Sequence, residues 1–171
     1  DGIRDIGVTG VQTCALPISL CDDDYEQLGV VDDDLRSSWE HCRRIVEQAE
    51  RSGFDNVLLP SGYSLGIDAL SFAAGIAPLT HRIRLLLALR CGETWVPQMA
   101  RQVATLDRML GGRLTVNIIS SEMPGETLDG PARYRRTAET MSVLRHLLDG
   151  GRIDHDGEVI SLHLDPPRIT T

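Results

Sequence analysis

The sequence predicts an α/β protein built as part of a (β/α)8 barrel, and three observations support this class. Three short apolar runs stand at nearly regular spacing, at residues 56–60, 83–89 and 114–119. Each run is followed by small or polar residues and then by a helical pattern of apolar residues. This order is typical of parallel strands that are buried on both faces and covered by helices. A full barrel needs about 250 residues, so the 171 residues correspond to part of one.

The composition describes a globular chain and excludes several function classes. Hydrophobic residues make up 42% and charged residues 25% of the sequence, which is usual for a domain with its own core. The net charge of −8 argues against a nucleic-acid-binding surface, since such surfaces are basic. No apolar run approaches the roughly 18 residues of a membrane span. All 17 basic residues are arginine, so the chain has no Schiff-base or phosphate-loop lysine.

The regular pattern begins with one helix and one strand. A helix over residues 35–52 is predicted by an apolar stripe at helical spacing, and Gly53 supplies the left-handed stop that helix ends favour. The stripe consists of Leu35, Trp39, Cys42, Val46 and Ala49. Residues 19–34 are acidic but lack the spacing and the glycine of a calcium-binding loop, so we expect a solvated loop there.

Two further helices alternate with the remaining strands. Residues 68–79 are mostly small and apolar and are predicted to form a helix. Residues 96–110 are predicted to form the next one, because Pro97 is tolerated in a first turn and Gly111 and Gly112 provide a stop. No G-x-G-x-x-G motif follows any strand, which disfavours the alternative of a doubly wound open sheet.

The last part of the chain predicts a long helix and then a hairpin. The helix covers residues 131–149, and its predicted inner face consists of Tyr134, Ala138, Met141, Leu144 and Leu148. The segment after it alternates apolar and polar residues around Asp156 and Gly157, which predicts a two-residue hairpin turn. His155 and His163 lack a third metal ligand at a workable spacing, so we expect both at exposed hairpin positions.

Small and polar residues follow each predicted strand, where barrel enzymes place their reactive groups. The three groups are Ser61-Gly62-Tyr63, Arg90-Cys91-Gly92-Glu93, and Asn117 with Ser120-Ser121-Glu122. They contain no histidine and no paired carboxylates, so hydrogen bonding to a large polar cofactor suits them better than acid–base catalysis. Arg90 either binds an anion or pairs with Glu93 or Glu122. Tyr134 lies either in the core or in the pocket.

Three segments together resemble the bacterial luciferase-like flavin-dependent monooxygenases, and the alkanesulfonate monooxygenase branch looks closest. The segments are GFDNVLLPSGYS, HRIRLLLALR and RQVATLDRMLGGRLTVNI, and the resemblance covers residues 35–167. It implies a TIM-like barrel, of which this chain forms about strands 2–4 with their helices and an inserted hairpin. It also implies reduced FMN, dioxygen and the cleavage of a carbon–sulfur bond to give an aldehyde and sulfite, in a pocket that excludes water.

The resemblance implies cofactor-binding roles for the residues that match its motifs. These residues are Ser61, Ala88, Arg90, Asn117, Ser120 and Tyr134. The resemblance implies that the catalytic histidine, arginine and tyrosine of the alkanesulfonate branch lie in the missing half of the barrel, so the catalytic residues stay unassigned, and no metal ligand is expected. Two alternatives stay open: a deazaflavin-dependent oxidoreductase on the same barrel, and a catalytically silent barrel subunit.

Partners and location are also implied by the resemblance. A separate NAD(P)H-dependent flavin reductase would supply the reduced FMN, and the substrate would be a small organosulfur compound in the cytoplasm. No nucleic acid and no membrane is expected as a partner. We expect the full-length protein to form a homo-oligomer and this chain, as roughly half of the barrel, to lack turnover.

The first 18 residues differ in character from the rest. They have neither a usable periodicity nor the apolar core of a signal peptide, and they resemble the translation of a sequencing-library adapter. We therefore expect a non-native segment over residues 1–18, an acidic loop over 19–34 and the incomplete barrel domain over 35–171. The first strand of the barrel is expected to be missing.

Overall fold

The computed structural model describes residues 15–17, 38–63 and 67–165, and its centre is a parallel sheet of four strands. The acidic segment 19–34 and Leu35 lie outside the described residues. The strands are β1 (Ala15–Pro17), β2 (Asn56–Leu59), β3 (Arg84–Arg90) and β4 (Leu114–Ile119), in the order β1-β2-β3-β4. Parallel neighbours in chain order, joined by helices, are the arrangement of βα units in a barrel. The predicted α/β class is confirmed.

The sequence pattern predicts three strands and a missing first strand. The structure differs, because β1 adds a fourth strand at the edge of the described sheet. Residues 15–17 pair in parallel register with residues 56–58 of β2. The outer edge of β2 offers unpaired backbone N–H and C=O groups, and a short extended segment satisfies them. Pro17 has no N–H and is tolerated at the edge of a sheet. Three residues that include a proline give almost no strand signal, which explains the omission.

Within the described residues, four helices accompany the sheet, and three of them begin at side-chain caps. They are α1 (Trp39–Arg51), α2 (Ala69–Ile76, continued by a 3-10 turn at Ala77–Leu79), α3 (Val96–Met109) and α4 (Gly130–Leu148). The side chains of Ser38, Asp68 and Asp129 accept a backbone N–H from the first turns of α1, α2 and α4, which fixes where these helices start. Among the described helices, none is long and apolar enough to cross a membrane.

The core lies between the helices and one face of the sheet. Leu85, Leu87 and Leu89 of β3 belong to a buried cluster together with Cys42, Val46 and Ala49 of α1. Side chains alternate along a strand, so Ala88 and Arg90 point to the opposite face, which is the interior face in a barrel. The sheet therefore separates a packed helical side from a side that carries the predicted cofactor residues.

The buried face of α4 differs from the predicted one. The buried residues are Arg136, Thr140, Val143, Leu144 and Leu147. Tyr134, Ala138 and Met141 are exposed, so the predicted inner face is wrong at those positions. An apolar pattern assigns an arginine to the surface, but Arg136 is paired with the carboxylate of Glu126, and a paired charge is far less costly to bury.

The hairpin is formed by β5 (Ile153–Asp156) and β6 (Ser161–Leu164), which pair antiparallel. Asp156 pairs with Ser161, so the loop comprises residues 157–160 and the predicted two-residue turn is wrong. The carboxylate of Glu139 on α4 accepts the N–H groups of residues 158, 159 and 160. This distant acceptor stabilises the wider loop, and no local sequence pattern reveals it.

Glu139→Gln is expected to loosen the hairpin loop, because a neutral amide oxygen accepts hydrogen bonds more weakly than a carboxylate. Burial raises the pKa of Glu139, but the three N–H donors outweigh burial and keep the pKa below its usual range. We expect hydrogen exchange of the amides of residues 158–160 to accelerate about tenfold. The control Glu158→Gln, which removes an exposed carboxylate, should leave the exchange of residues 159 and 160 unchanged; equal effects of both substitutions would contradict the assignment.

Candidate cofactor site

A cavity of about 420 Å³ lies where β2 ends and the loops after β3 and β4 meet. Its lining residues are Ser61, Gly62, Tyr63, Ile67, Asp68, Ala69, Glu93, Met123 and Pro124. This is the carboxyl-terminal edge of the parallel strands, where barrel and open α/β folds bind their ligands. The volume is within the range of small-molecule sites, so the cavity is the candidate site.

Arg90, the last residue of β3, connects the loops around this cavity. Its side chain is only 10% exposed. Nη2 donates to the carbonyl oxygen of Ser61 at 3.1 Å, and Nη1 donates to the carbonyl oxygen of Glu122 at 3.2 Å. Nη1 also lies 3.6 Å from the carboxylate of Glu93. One guanidinium thus fixes the ends of β2, β3 and β4 relative to one another, using the several donors that distinguish arginine from lysine.

Ser61 and Glu93 form the polar part of the cavity wall. The Ser61 hydroxyl donates to Oε2 of Glu93 at 3.4 Å, and both residues line the cavity. Because the hydroxyl oxygen keeps its acceptor capacity, Ser61 is able to accept a further hydrogen bond from a ligand. The ion pair of Arg90 with Glu93, one of the alternatives left open by the sequence, is present in the structure.

The structure separates one of the six predicted cofactor residues, Tyr134, from the other five. The six are Ser61, Ala88, Arg90, Asn117, Ser120 and Tyr134, of which the first five lie at or near the carboxyl-terminal ends of β2, β3 and β4. Ala88 and Asn117 are directly paired across β3 and β4 and share one face of the sheet. Ser61 lines the cavity, whereas Tyr134 lies on α4, is 69% exposed and does not line it. Their roles toward a cofactor stay predictions.

Several residues of the site were not predicted. Asp68 reaches the cavity from the start of α2, and Met123 reaches it from the loop after β4. Asp68 carries a recognisable sequence signal, since an aspartate before a helical run is a typical N-cap. Met123 carries none, because its position depends on how the loop after β4 folds back toward β2.

Cys91, the first residue after β3, is buried beside the site. Burial raises the pKa of its thiol, although the hydroxyls of Thr137 and Thr140 and the charge of Arg136 act in the opposite direction. A thiol with a raised pKa is rarely ionised at neutral pH and is a poor nucleophile. Cys91 therefore packs the loop after β3 against α4 as a neutral thiol.

The two hairpin histidines contact carboxylates, one of them on the hairpin itself and the other on α4. His163 is exposed and hydrogen-bonds to Asp154 and Asp156, and the hydrogen bond to the carboxylate of Asp154 raises the pKa of His163. His155 is half-buried, not exposed as predicted, and its Nε2 lies 3.7 Å from Oε2 of Glu139. Within residues 15–17, 38–63 and 67–165, no cluster of histidine, cysteine and acidic side chains has the arrangement of a metal site.

The donor set of the cavity fits a flavin. The Ser61 hydroxyl provides an acceptor, and the Tyr63 hydroxyl provides a donor and an acceptor, for the polar edge of an isoalloxazine ring. Ile67, Met123 and Pro124 provide apolar surface for its planar face. The cavity thus combines an apolar wall with a few polar groups, as cofactor sites do.

Comparisons with known proteins identify a family and two similar relatives. The family model described as luciferase-like monooxygenase matches residues 20–170. A sulfoquinovose monooxygenase of Novosphingobium aromaticivorans is 59% identical over 90% of this chain and 44% of its own length. A second one, of Agrobacterium fabrum, is 55% identical over 82% of this chain and 37% of its own length. The chain therefore spans less than half the length of these relatives.

Solved structures show the same fold. An EDTA monooxygenase from Chelativorans superposes with a TM-score of 0.71 at 19% identity, over 77% of this chain and 41% of that one. A coenzyme F420-dependent tetrahydromethanopterin reductase from Methanopyrus kandleri superposes with a TM-score of 0.69 at 18% identity, over 91% of this chain and 46% of that one. The parallel strands, the strand-end cavity and the matched family model lead to one conclusion: the chain belongs to the luciferase-like monooxygenase family.

Proposed function

We propose that this chain is the flavin-binding part of a reduced-FMN-dependent monooxygenase that acts on a small organosulfonate. The cavity at the ends of β2, β3 and β4 carries this proposal, because Arg90 fixes its loops and its lining fits a flavin. The relatives that are 59% and 55% identical are named sulfoquinovose monooxygenases. We therefore favour a sugar sulfonate such as sulfoquinovose over a simple alkanesulfonate.

The chemistry divides between the cofactor and the chain. Reduced FMN, when bound, would supply the two electrons that allow dioxygen to be split. The overall reaction consumes reduced FMN, dioxygen and the sulfonate, and it yields oxidised FMN, water, an aldehyde and sulfite. Ser61 would bind the polar edge of the ring, while Ile67 and Met123 would keep water away from it.

The partners follow from the same chemistry. Each turnover consumes one reduced FMN, so a separate NAD(P)H-dependent flavin reductase is the proposed source. A cytoplasmic location and a homo-oligomeric full-length protein are part of this proposal. Measuring sedimentation of the complete protein tests whether it is a homo-oligomer. Repeating the measurement with the reductase tests whether the two proteins associate.

Sulfite release from the complete protein tests the proposed reaction. We expect sulfite only when sulfoquinovose, reduced FMN and dioxygen are all present, with little release from an unsubstituted alkanesulfonate of similar length. Sulfite release from the alkanesulfonate but not from sulfoquinovose would contradict the proposed substrate. A deazaflavin-dependent oxidoreductase is the second candidate, favoured by the fold of the F420-dependent reductase; anaerobic hydride transfer from reduced F420, without sulfite, would favour it.

Ser61→Ala is expected to weaken FMN binding about fivefold, which corresponds to the loss of one neutral hydrogen bond. Titration of the chain with FMN, followed by the quenching of flavin fluorescence, measures the dissociation constant. The matched control Ser71→Ala removes an exposed hydroxyl on α2, outside the residues that line the cavity, and should leave affinity unchanged. Equal affinities of wild type and Ser61→Ala would contradict the role of Ser61.

A further inference from the structure

We infer that Arg136 is a positioning residue that shapes the proposed flavin site by linking the loops after β3 and β4 to α4. The inference rests on the proposed function, since it concerns the same site. Arg136 does not line the site cavity; it lines a second cavity of about 310 Å³, between α4 and the hairpin. Any influence on the flavin must therefore pass through the two loops.

The first link is a buried ion pair with the loop after β4. Arg136 is 8% exposed, and both of its terminal nitrogens hydrogen-bond to the carboxylate of Glu126, Nη2 at 3.2 Å. Two parallel bonds of this kind define the orientation of both partners. Breaking such a pair leaves one charge buried without a partner, which is strongly unfavourable.

Glu126 in turn closes a compact turn that reaches the site. Its Oε2 accepts the N–H of Met123 at 3.3 Å, and its own N–H donates to the carbonyl oxygen of Met123 at 2.9 Å. Met123 and Pro124 line the site cavity. The position of this apolar wall is thereby tied to the guanidinium of Arg136.

The second link is steric and involves the loop after β3. Gly92 has φ +109°, and a Cβ added there would lie 2.8 Å from Cζ of Arg136. The backbone of Gly92 thus rests directly on the guanidinium, and only glycine permits this approach. The next residue, Glu93, lines the site cavity and bonds to Ser61. One buried arginine therefore supports both the polar and the apolar wall.

Two independent measurements test this role in the full chain. The first is cleavage by a glutamate-specific protease, which cuts after Glu122 when the loop after β4 opens; mass spectrometry identifies that cut. The second is the FMN dissociation constant, measured by flavin fluorescence. For Arg136→Met we expect cleavage after Glu122 and the FMN dissociation constant to rise at least about tenfold each, because the carboxylate of Glu126 loses its buried partner and the loop opens more often. Arg136→Lys, which keeps the charge but not the fork, should lie between Arg136→Met and wild type.

The control is the neighbouring residue. Arg135→Met removes an arginine whose side chain is 53% exposed and whose contact is the exposed Glu158, and it should match wild type in both measurements. If Arg136→Met does not fold, Glu126→Gln provides the same test, because it changes the loop and leaves α4 intact. We expect it to raise cleavage after Glu122 and the FMN dissociation constant by smaller factors. Unchanged cleavage, or faster cleavage with unchanged FMN affinity, would overturn the inference. A wild-type chain that binds no FMN would contradict the proposed function, while the cleavage rate still reports whether Arg136 fixes the loop.

Discussion

Phe72→Ala is expected to lower the free energy of unfolding by about 4 kcal/mol, the usual loss when a buried phenylalanine is truncated in a core that cannot collapse around the cavity. Phe72 is 2% exposed. Its ring packs edge-on against Trp39 of α1, with ring centres 5.5 Å apart, a favourable geometry for aromatic pairs. The substitution therefore removes both the filling of the core and a contact between α1 and α2.

Urea unfolding followed by far-ultraviolet circular dichroism measures this loss. Leu79→Ala is the control, because Leu79 ends the 3-10 turn after α2 and is 41% exposed; we expect a change below about 1 kcal/mol. A loss for Phe72→Ala no larger than that of the control would show that α1 and α2 do not depend on this ring.

Glu50→Ala is expected to lower the free energy of unfolding by about 2 to 3 kcal/mol, because hydrogen bonds to a charged acceptor contribute more than neutral ones. The carboxylate of Glu50, near the end of α1, accepts the N–H groups of His81, Arg82 and Ile83 at 2.9, 2.6 and 2.9 Å. These residues form the turn that leads into β3, so one side chain connects α1 to the start of a central strand. The same urea unfolding measurement applies.

The pH dependence provides a second check on Glu50. Burial raises the pKa of Glu50, but the three N–H donors outweigh burial, so the folded-state pKa lies below the usual value. A lowered pKa in the folded state contributes stability that is fully present above about pH 4.3, the unfolded-state value, and is lost as pH falls through the folded-state pKa. The difference in stability between wild type and Glu50→Gln should therefore be largest near neutral pH and shrink below about pH 4.

Glu47→Ala is the matched control for Glu50. Glu47 lies one turn earlier on α1 and pairs with Arg43 and Arg51 at i,i+4 spacing. Surface pairs of this kind contribute less than about 1 kcal/mol, so we expect a small change without marked pH dependence. A loss as large as that of Glu50→Ala would mean that general charge on α1, and not the backbone contacts of Glu50, stabilises the fold.

Local signals were sufficient to predict most of the elements. β4 was predicted with the bounds Leu114–Ile119 that the structure has, because its apolar run is enclosed by glycines and polar residues. The predicted starts of α2 and α4, at residues 68 and 131, lie within one residue of the observed starts at Ala69 and Gly130, where Asp68 and Asp129 cap the helices. The rule that barrel sites lie after strands pointed to the loops that carry Ser61 and Glu93, and the candidate cavity lies between these loops.

The features that escaped prediction depend on partners far away in the chain. Arg136 is buried because Glu126 lies ten residues earlier in a loop, and the hairpin loop is wide because Glu139 reaches it from α4. Met123 enters the site only after that loop has folded. Periodicity compares each residue with its neighbours on one element, so it does not detect a charge that becomes acceptable through a partner on another element.

The pairing of β1 with β2 has a consequence for how domains are delimited. Residues 15–17 join the sheet through main-chain groups, and main-chain groups are the same in every residue except proline. A sheet edge is therefore indifferent to the origin of the segment that completes it. A boundary placed by sequence character at residue 18 passes directly beside a hydrogen-bonded strand, so removal of residues 1–18 would uncover the edge of β2 and leave it open to pairing with another chain.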